Sequence, residues 1–222
     1  KMANVVVSDS DDIKEQNNNE YNPKINIGVD FGTDGTAIAY SFPGGNDVYI
    51  YEQWRVSSDK GTQRVNKART AVLLDRDGNF EAFGVNALRG YASMQNKQNW
   101  YFFDNFKMHL YENARKNKYK QRIKNKLTAM NGKSMDAEIV FIAVFKHIKE
   151  QVFTGVYKEL KRRNIDCNIN TIRDIQWIVT VPAIWDDTSK DKMITWIEKA
   201  GLIDPNIDNH CLLKYEPDCA SL

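Results

Sequence analysis

The stretch Ile25–Ser41, INIGVDFGTDGTAIAYS, decides how the rest of the chain is read. In its first half Ile25, Ile27, Val29 and Phe31 take one side of a period-two pattern, and Asn26, Gly28, Asp30 and Gly32 take the other. A face with two glycines and an aspartate has no bulk to fill a core, but it lets another group approach the backbone closely. The second run, Thr36–Ser41, is apolar and β-prone, and Asp34-Gly35 between the runs is a hairpin signal. The stretch therefore predicts a β-hairpin whose turn offers backbone N–H groups beside Asp30. Such a turn can hold phosphate oxygens in a nest of amides, with the carboxylate on a hydrated Mg²⁺. An Asp-Gly hairpin also occurs in β-containing proteins of every kind, so this stretch alone leaves both readings open.

Composition narrows the alternatives. The 222 residues are enough for one large domain or two small lobes with a real core, and 42% hydrophobic with 27% charged residues is ordinary globular material. Lys plus Arg number 31 against 29 Asp plus Glu, a balance that argues against nucleic acid as the main partner. Cys167, Cys211 and Cys219 lack metal-ligand spacing and are odd in number, which predicts reduced thiols and a cytoplasmic location. His109, His147 and His210 share no ligand motif. The longest unbroken apolar run, Ile139–Phe145, is too short to cross a membrane, and no signal peptide is visible.

Along the chain, residues 1–24 are polar and acidic and are expected to be a disordered leader. Pro43–Asp47 makes a turn, and Val48–Trp54 is expected as a third strand completing an antiparallel meander. Residues 55–69 are expected as loop, Thr70–Asp75 and Phe80–Phe83 as strands, and Gly84–Met94 as a helix. Arg115–Lys126 has the charge of a nucleic-acid patch, yet Lys118, Lys120, Arg122, Lys124 and Lys126 fall on every second position, which favours a strand with a solvated face. Ser134 is expected to cap a long helix reaching Arg163, with Asp136 in its first turn and Phe141, Phe145, Ile148, Val152, Val156 and Leu160 on its buried face. Ile175–Val181 is a strand ended by Pro182, and Thr188 with Asp191 suggests a capping box for a helix that Gly201 closes. Cys211–Tyr215 is a last strand, followed by Glu216-Pro217. The final α-β-α-β order requires parallel strands, whose carboxyl ends are where ligands sit. A mixed sheet, three antiparallel strands and then parallel ones, would place Asp30 and Glu216 on one rim.

Several segments in order resemble one family: IGVDFGTDGTAIAYSF (27–42), FGVNAL (83–88), NFKMHLY (105–111), LTAMNGKSMDAEI (127–139), IQWIVTVPAIWDD (175–187), AGL (200–202) and EPDCASL (216–222). The chain resembles the first half of the nucleotide-binding domain of the 70-kDa heat-shock proteins, which are actin-like ATPases, and within them the divergent 12A/12B branch. The resemblance implies an α/β fold, an RNase H-like lobe with a mixed sheet spanning 25–222 and an inserted α+β subdomain at about 55–133. It implies ATP and Mg²⁺ as cofactors, with Gly32, Thr33, Asp34, Gly35 and Thr36 at the phosphates and Asp30 acting through water on the metal. Glu216 would position the attacking water, Lys107 would contact phosphate, and Pro182 with Lys190, eight positions on, would relay nucleotide state. Partners would be ATP or ADP, with client proteins or co-chaperones engaged by other regions, and no nucleic acid or membrane. Asp34 stands where the family's phosphate turn has a second hydroxyl residue, which adds negative charge beside the phosphates. The family's second phosphate loop and adenosine pocket are not in this stretch, so the stretch alone is expected not to turn over ATP. A non-catalytic interaction protein that keeps the fold is the alternative; a sugar kinase or filament-forming relative would share the fold but fits the motifs less well.

Overall fold

The computed structural model describes residues 21–58, 61–108 and 125–216. In chain order the strands are β1 Ile25–Phe31, β2 Gly35–Ser41, β3 Val48–Ile50, β4 Trp54–Ser58, β5 Gly61–Val65, β6 Lys67–Arg69, β7 Ala71–Asp75 and β8 Phe80–Phe83, then helix α1 Val85–Ser93. There follow β9 Trp100–Asp104, β10 Lys126–Thr128, β11 Ser134–Asp136, α2 Ala137–Glu150, a π-helical segment Gln151–Val156, α3 Tyr157–Arg162, β12 Ile175–Val181, α4 Asp187–Lys199 and β13 Cys211–Tyr215.

The central sheet runs β13-β12-β1-β2-β3, and β6 also pairs with β2. β1, β2 and β3 are antiparallel neighbours, whereas β12 lies parallel to β1 and β13 parallel to β12. The expected mixed α/β sheet is therefore present, with α2–α3 and α4 as its crossovers. Ile25, Ile27, Val29 and Phe31 are fully buried while the alternate residues of β1 are half-open, as the period-two pattern requires. Against that buried face α2 lays Val140, Phe141, Val144, Phe145 and Ile148, all without solvent contact. The Phe31 ring lies 5.4 Å from Phe145, 5.9 Å from Phe141 and 6.1 Å from Phe106. Burial of each such side chain stabilises by about 1.5–3 kcal/mol, so β1 and α2 form the rigid floor on which the carboxyl ends of the strands stand. Ala71, Leu73, Ala87, Tyr91 and Phe102 build a second, smaller core between the β8-β7-β9 sheet and α1.

Several local expectations are corrected. Val48–Trp54 is not one strand: β3 stops at Ile50, where Tyr51 turns inward, its N–H donating to Ile38 O at 2.9 Å and its hydroxyl to Gln151 Oε1 at 3.1 Å. Of the stretch expected as loop, residues 55–58, 61–65 and 67–69 lie instead in β4, β5 and β6, whose ladders are satisfied by backbone groups and leave polar side chains in solvent. Ser134 lies in β11 opposite Thr128, because Leu127 and Met135 pair across that hairpin and are both buried. Asp136 takes the N-cap position of α2 with no side-chain bond. The helix to Arg163 is interrupted by the π segment, although Val152, Val156 and Leu160 continue its buried stripe. There Gly155 leaves room for Tyr51, whose hydroxyl occupies the space a Cβ would need. Asp186, not Thr188, caps α4, accepting from Ser189 N–H at 2.9 Å. Anchoring begins before Ile25: Tyr21 donates its hydroxyl to Ile175 O at 2.6 Å and Lys24 pairs with Asp174 at 2.8 Å. The remainder of the expected leader, residues 1–20, and residues 115–124 of the basic strand lie outside the described residues. Among the described residues no helix is long and apolar enough to cross a membrane.

Candidate functional site

The β1–β2 turn is pinned from below by Thr70, the residue before β7. Its hydroxyl donates to Gly32 O at 2.7 Å and lies 2.9 Å from the Thr36 hydroxyl, and its N–H donates to Asp34 O at 3.1 Å. Gly32 closes the loop by donating its N–H to Gly35 O at 3.1 Å, and a Cβ at Gly32 would stand 2.7 Å from that same oxygen. These bonds narrow the set expected at a ligand. The Gly32 N–H is already spent, Gly35 is buried beneath Lys67, and Thr36 is fully buried with its hydroxyl committed to Thr70. Thr33 and Asp34 are left at the surface of the turn, and no described residue accepts from either N–H. The Asp34 side chain is exposed. With its amide nitrogen turned toward the loop, the orientation that satisfies both ends, Asn105 donates to Thr33 O at 3.3 Å and to Asp34 Oδ1 at 3.2 Å.

Beside this turn stand two carboxylates. Asp30 is the penultimate residue of β1, and its Oδ1 accepts from the Thr180 hydroxyl at 3.1 Å while Oδ2 accepts from Lys67 Nζ at 3.0 Å. Thr180 lies beside Lys214 in the β12–β13 register, and Glu216 follows two residues further, just past the end of β13. Lys107 closes the distance across β12. Its Nζ donates to Phe31 O at the end of β1 and to Glu216 Oε1 at 2.5 Å just past β13. The ammonium sits 5.5 Å from both the Phe31 and Trp185 ring centroids, and the side chain is 1% exposed. Asp30, Lys107, Glu216 and the turn thus share one rim. Burial pushes the Lys107 pKa below the ordinary lysine value, opposed by the Glu216 hydrogen bond and charge.

The other expected residues are nearby. Pro182 O accepts from Trp185 N–H at 3.1 Å. Lys190 Nζ bonds Asp187 Oδ1 and the Tyr215 hydroxyl, each at 3.1 Å, and so touches the residue preceding Glu216. Sequence reasoning missed Lys67, Thr70, Asn105 and Thr180. Thr180 lies within the Val-Thr-Val strand, whose parallel register with β1 sets it near Asp30; Lys67 carries no local signal, sitting in a polar stretch whose pattern predicts loop. Among the described residues no three His, Cys, Asp or Glu side chains converge on a metal position. What the described residues offer at this rim is one half-exposed carboxylate, Asp30, beside the Thr33–Asp34 turn.

No family model matches the chain. Among curated proteins it is similar to Heat shock 70 kDa protein 12A of Mus musculus, 28% identical over 220 residues, covering 98% of this chain and 30% of that protein. It is also 30% identical to Heat shock 70 kDa protein 12A of Homo sapiens and 28% identical to Heat shock 70 kDa protein 12B of Homo sapiens, each over 199 residues and 88% of this chain. The chain spans less than a third of the length of these curated relatives, covering 30%, 28% and 27% of them. An alignment that runs through nearly all of the chain makes it a relative of the 12A/12B branch of the 70-kDa heat-shock proteins.

Proposed function

We propose that this chain is the first lobe of an actin-like, RNase H-like nucleotide-binding domain that takes ATP with Mg²⁺, within a heat-shock-type chaperone ATPase. The observation that supports it is the bridge made by Lys107, which holds the end of β1 and Glu216 to one rim beside the Thr33–Asp34 amides. Those amides would meet phosphate oxygens, and Asp30, held by Thr180, would face the metal's water shell. The metal would supply charge neutralisation on the phosphates. Glu216 is anchored through Oε1 by Lys107, which leaves Oε2 to orient the water whose oxygen attacks the terminal phosphorus as the bond to ADP breaks. The buried Lys107 ammonium then lies where negative charge builds up, in surroundings that strengthen its field. Lys190, bonded to Tyr215, gives the nucleotide state a route from Glu216 toward Pro182 and α4. Client proteins and co-chaperones would be engaged by other regions of the whole protein. Free thiols at Cys167 and Cys211 support a reducing, cytoplasmic setting.

Calorimetry of the full-length protein with ATP and Mg²⁺ tests this reading. Binding that Asp30→Ala weakens about tenfold or more, some 1.4 kcal/mol, is expected; no binding by the intact protein refutes it. One observation favours a second reading, a non-catalytic interaction protein with the same fold: both oxygens of Asp30 already have protein partners. That reading predicts no change of Tm with ATP, and a clear ATP-dependent rise excludes it.

A further inference from the structure

Lys67 has no place in the function just described, yet it is built against Asp30 from two directions. Backbone pairing sets Lys67 opposite Ala37 in the β2–β6 ladder, so its Cα is fixed beside the turn. Its stem then lies across Gly35, where a Cβ would stand 2.7 Å from Lys67 Cε and 2.9 Å from Cγ. Only a residue without a side chain at position 35 leaves that path open, and it ends with Nζ 3.0 Å from Asp30 Oδ2. The pair is open to water on both sides, with Lys67 52% and Asp30 43% exposed. The other Asp30 oxygen is held by Thr180, so Oδ2 is the one that faces outward. The Lys67 charge also reaches inward far enough to oppose protonation of Lys107.

We infer that Lys67 is a tethered counter-ion of Asp30 that a divalent cation must displace, so that the lysine sets how readily this carboxylate takes metal. The inference rests on the reading of Asp30 as the metal-facing carboxylate. An ammonium 3.0 Å from Oδ2 competes with a hydrated cation for the outward side of that oxygen, because the two like charges repel at that separation. The displaced ammonium stays on the same rim, beside the turn amides, where it balances a phosphate brought in with the metal. Lys67 therefore acts as a positioning residue: without metal it holds Asp30 in place against Thr180, and with metal it is free to meet the anion. Because the pair is solvent-exposed its strength is modest, and displacement costs little.

The test uses the full-length protein without nucleotide and Mn²⁺ as the probe, with free Mn²⁺ followed by electron paramagnetic resonance. Lys67→Met is expected to raise Mn²⁺ affinity about three- to fivefold, the range that loss of an exposed ion pair allows. The Asp30→Asn, Lys67→Met double variant loses that gain, and Gly35→Ala, which pushes the Lys67 stem aside, shows a smaller gain of the same sign. Unchanged affinity in Lys67→Met, a gain that survives in the double variant, or no Mn²⁺ uptake by any of the proteins overturns the inference. The two readings separate cleanly. If the gain appears but ATP does not bind, the nucleotide reading fails alone; if Asp30→Ala weakens ATP binding while Lys67→Met leaves Mn²⁺ affinity unchanged, the counter-ion role fails alone.

Discussion

Two lysine–carboxylate pairs stand on one rim and differ in what surrounds them. Lys107–Glu216 is closed on the lysine side, with the ammonium 1% exposed between the Phe31 and Trp185 rings. Lys67–Asp30 is open on both sides. Buried charge is costly to leave unpaired, whereas exposed charge is readily hydrated, so the first pair resists removal of a partner and the second tolerates it. His147 supplies the third case, burial without a charged partner: its ring stacks on Phe80 at 4.6 Å, and burial pushes its pKa down to about 4. The contrast assigns the first pair to architecture and orientation and the second to exchange.

The largest expected effect comes from breaking the buried pair on its open side. Glu216→Gln leaves the Lys107 ammonium without its counter-charge and is expected to cost about 3 kcal/mol, the low end for such a break because Glu216 still meets water. Urea unfolding measures it, and a cost below about 1 kcal/mol would show that the two pairs are alike. Next is His147. Its folded pKa lies below the unfolded value, so as pH falls the unfolded chain takes up the proton first and stability drops between about pH 6.5 and 4. The loss is expected to be about 2 kcal/mol and absent from His147→Phe, which keeps the stack. Unfolding curves of the two proteins from pH 7 to 4 that stay parallel would contradict it.

Lys107→Met should cost only about 1 kcal/mol, because removal of the buried charge itself spares its desolvation while Phe31 O loses a donor. The asymmetry between Glu216→Gln and Lys107→Met is the sharpest form of the comparison, and equal costs would break it. The Lys107 pKa, lowered by burial, gives the same sign: its contribution improves as pH rises from the depressed folded value toward the ordinary 10.5. That rise should vanish in Lys107→Met. The smallest effect is that of Lys67→Met on stability, about 0.5 kcal/mol, with thermal melts in low and high salt expected to coincide to within that amount.

Much of the central sheet was legible in the residues. Ile25–Phe31 and Ile175–Val181 alternate or run apolar between Gly and Pro signals, and β-structure over five to seven residues follows from local pattern alone. The hairpin at 54–65 was not legible, because polar strands at an edge differ from loop only in their partner. The site divides the same way. Asp30 and Glu216 stand out at the ends of strands, whereas Lys107 and Lys67 are lysines among many until the fold seats one against Phe31 O and the other over Gly35.

The order of residues by itself determined that Ile25–Phe31 alternates, that Asp34-Gly35 turns it back on the next strand, and that antiparallel strands precede parallel ones, since these depend on local pattern and element order. Only the tertiary structure decided which ammonium is buried and which is exposed. Desolvation and ion pairing are set by groups brought together from positions 30, 67, 107, 180 and 216, and no local spacing encodes that meeting.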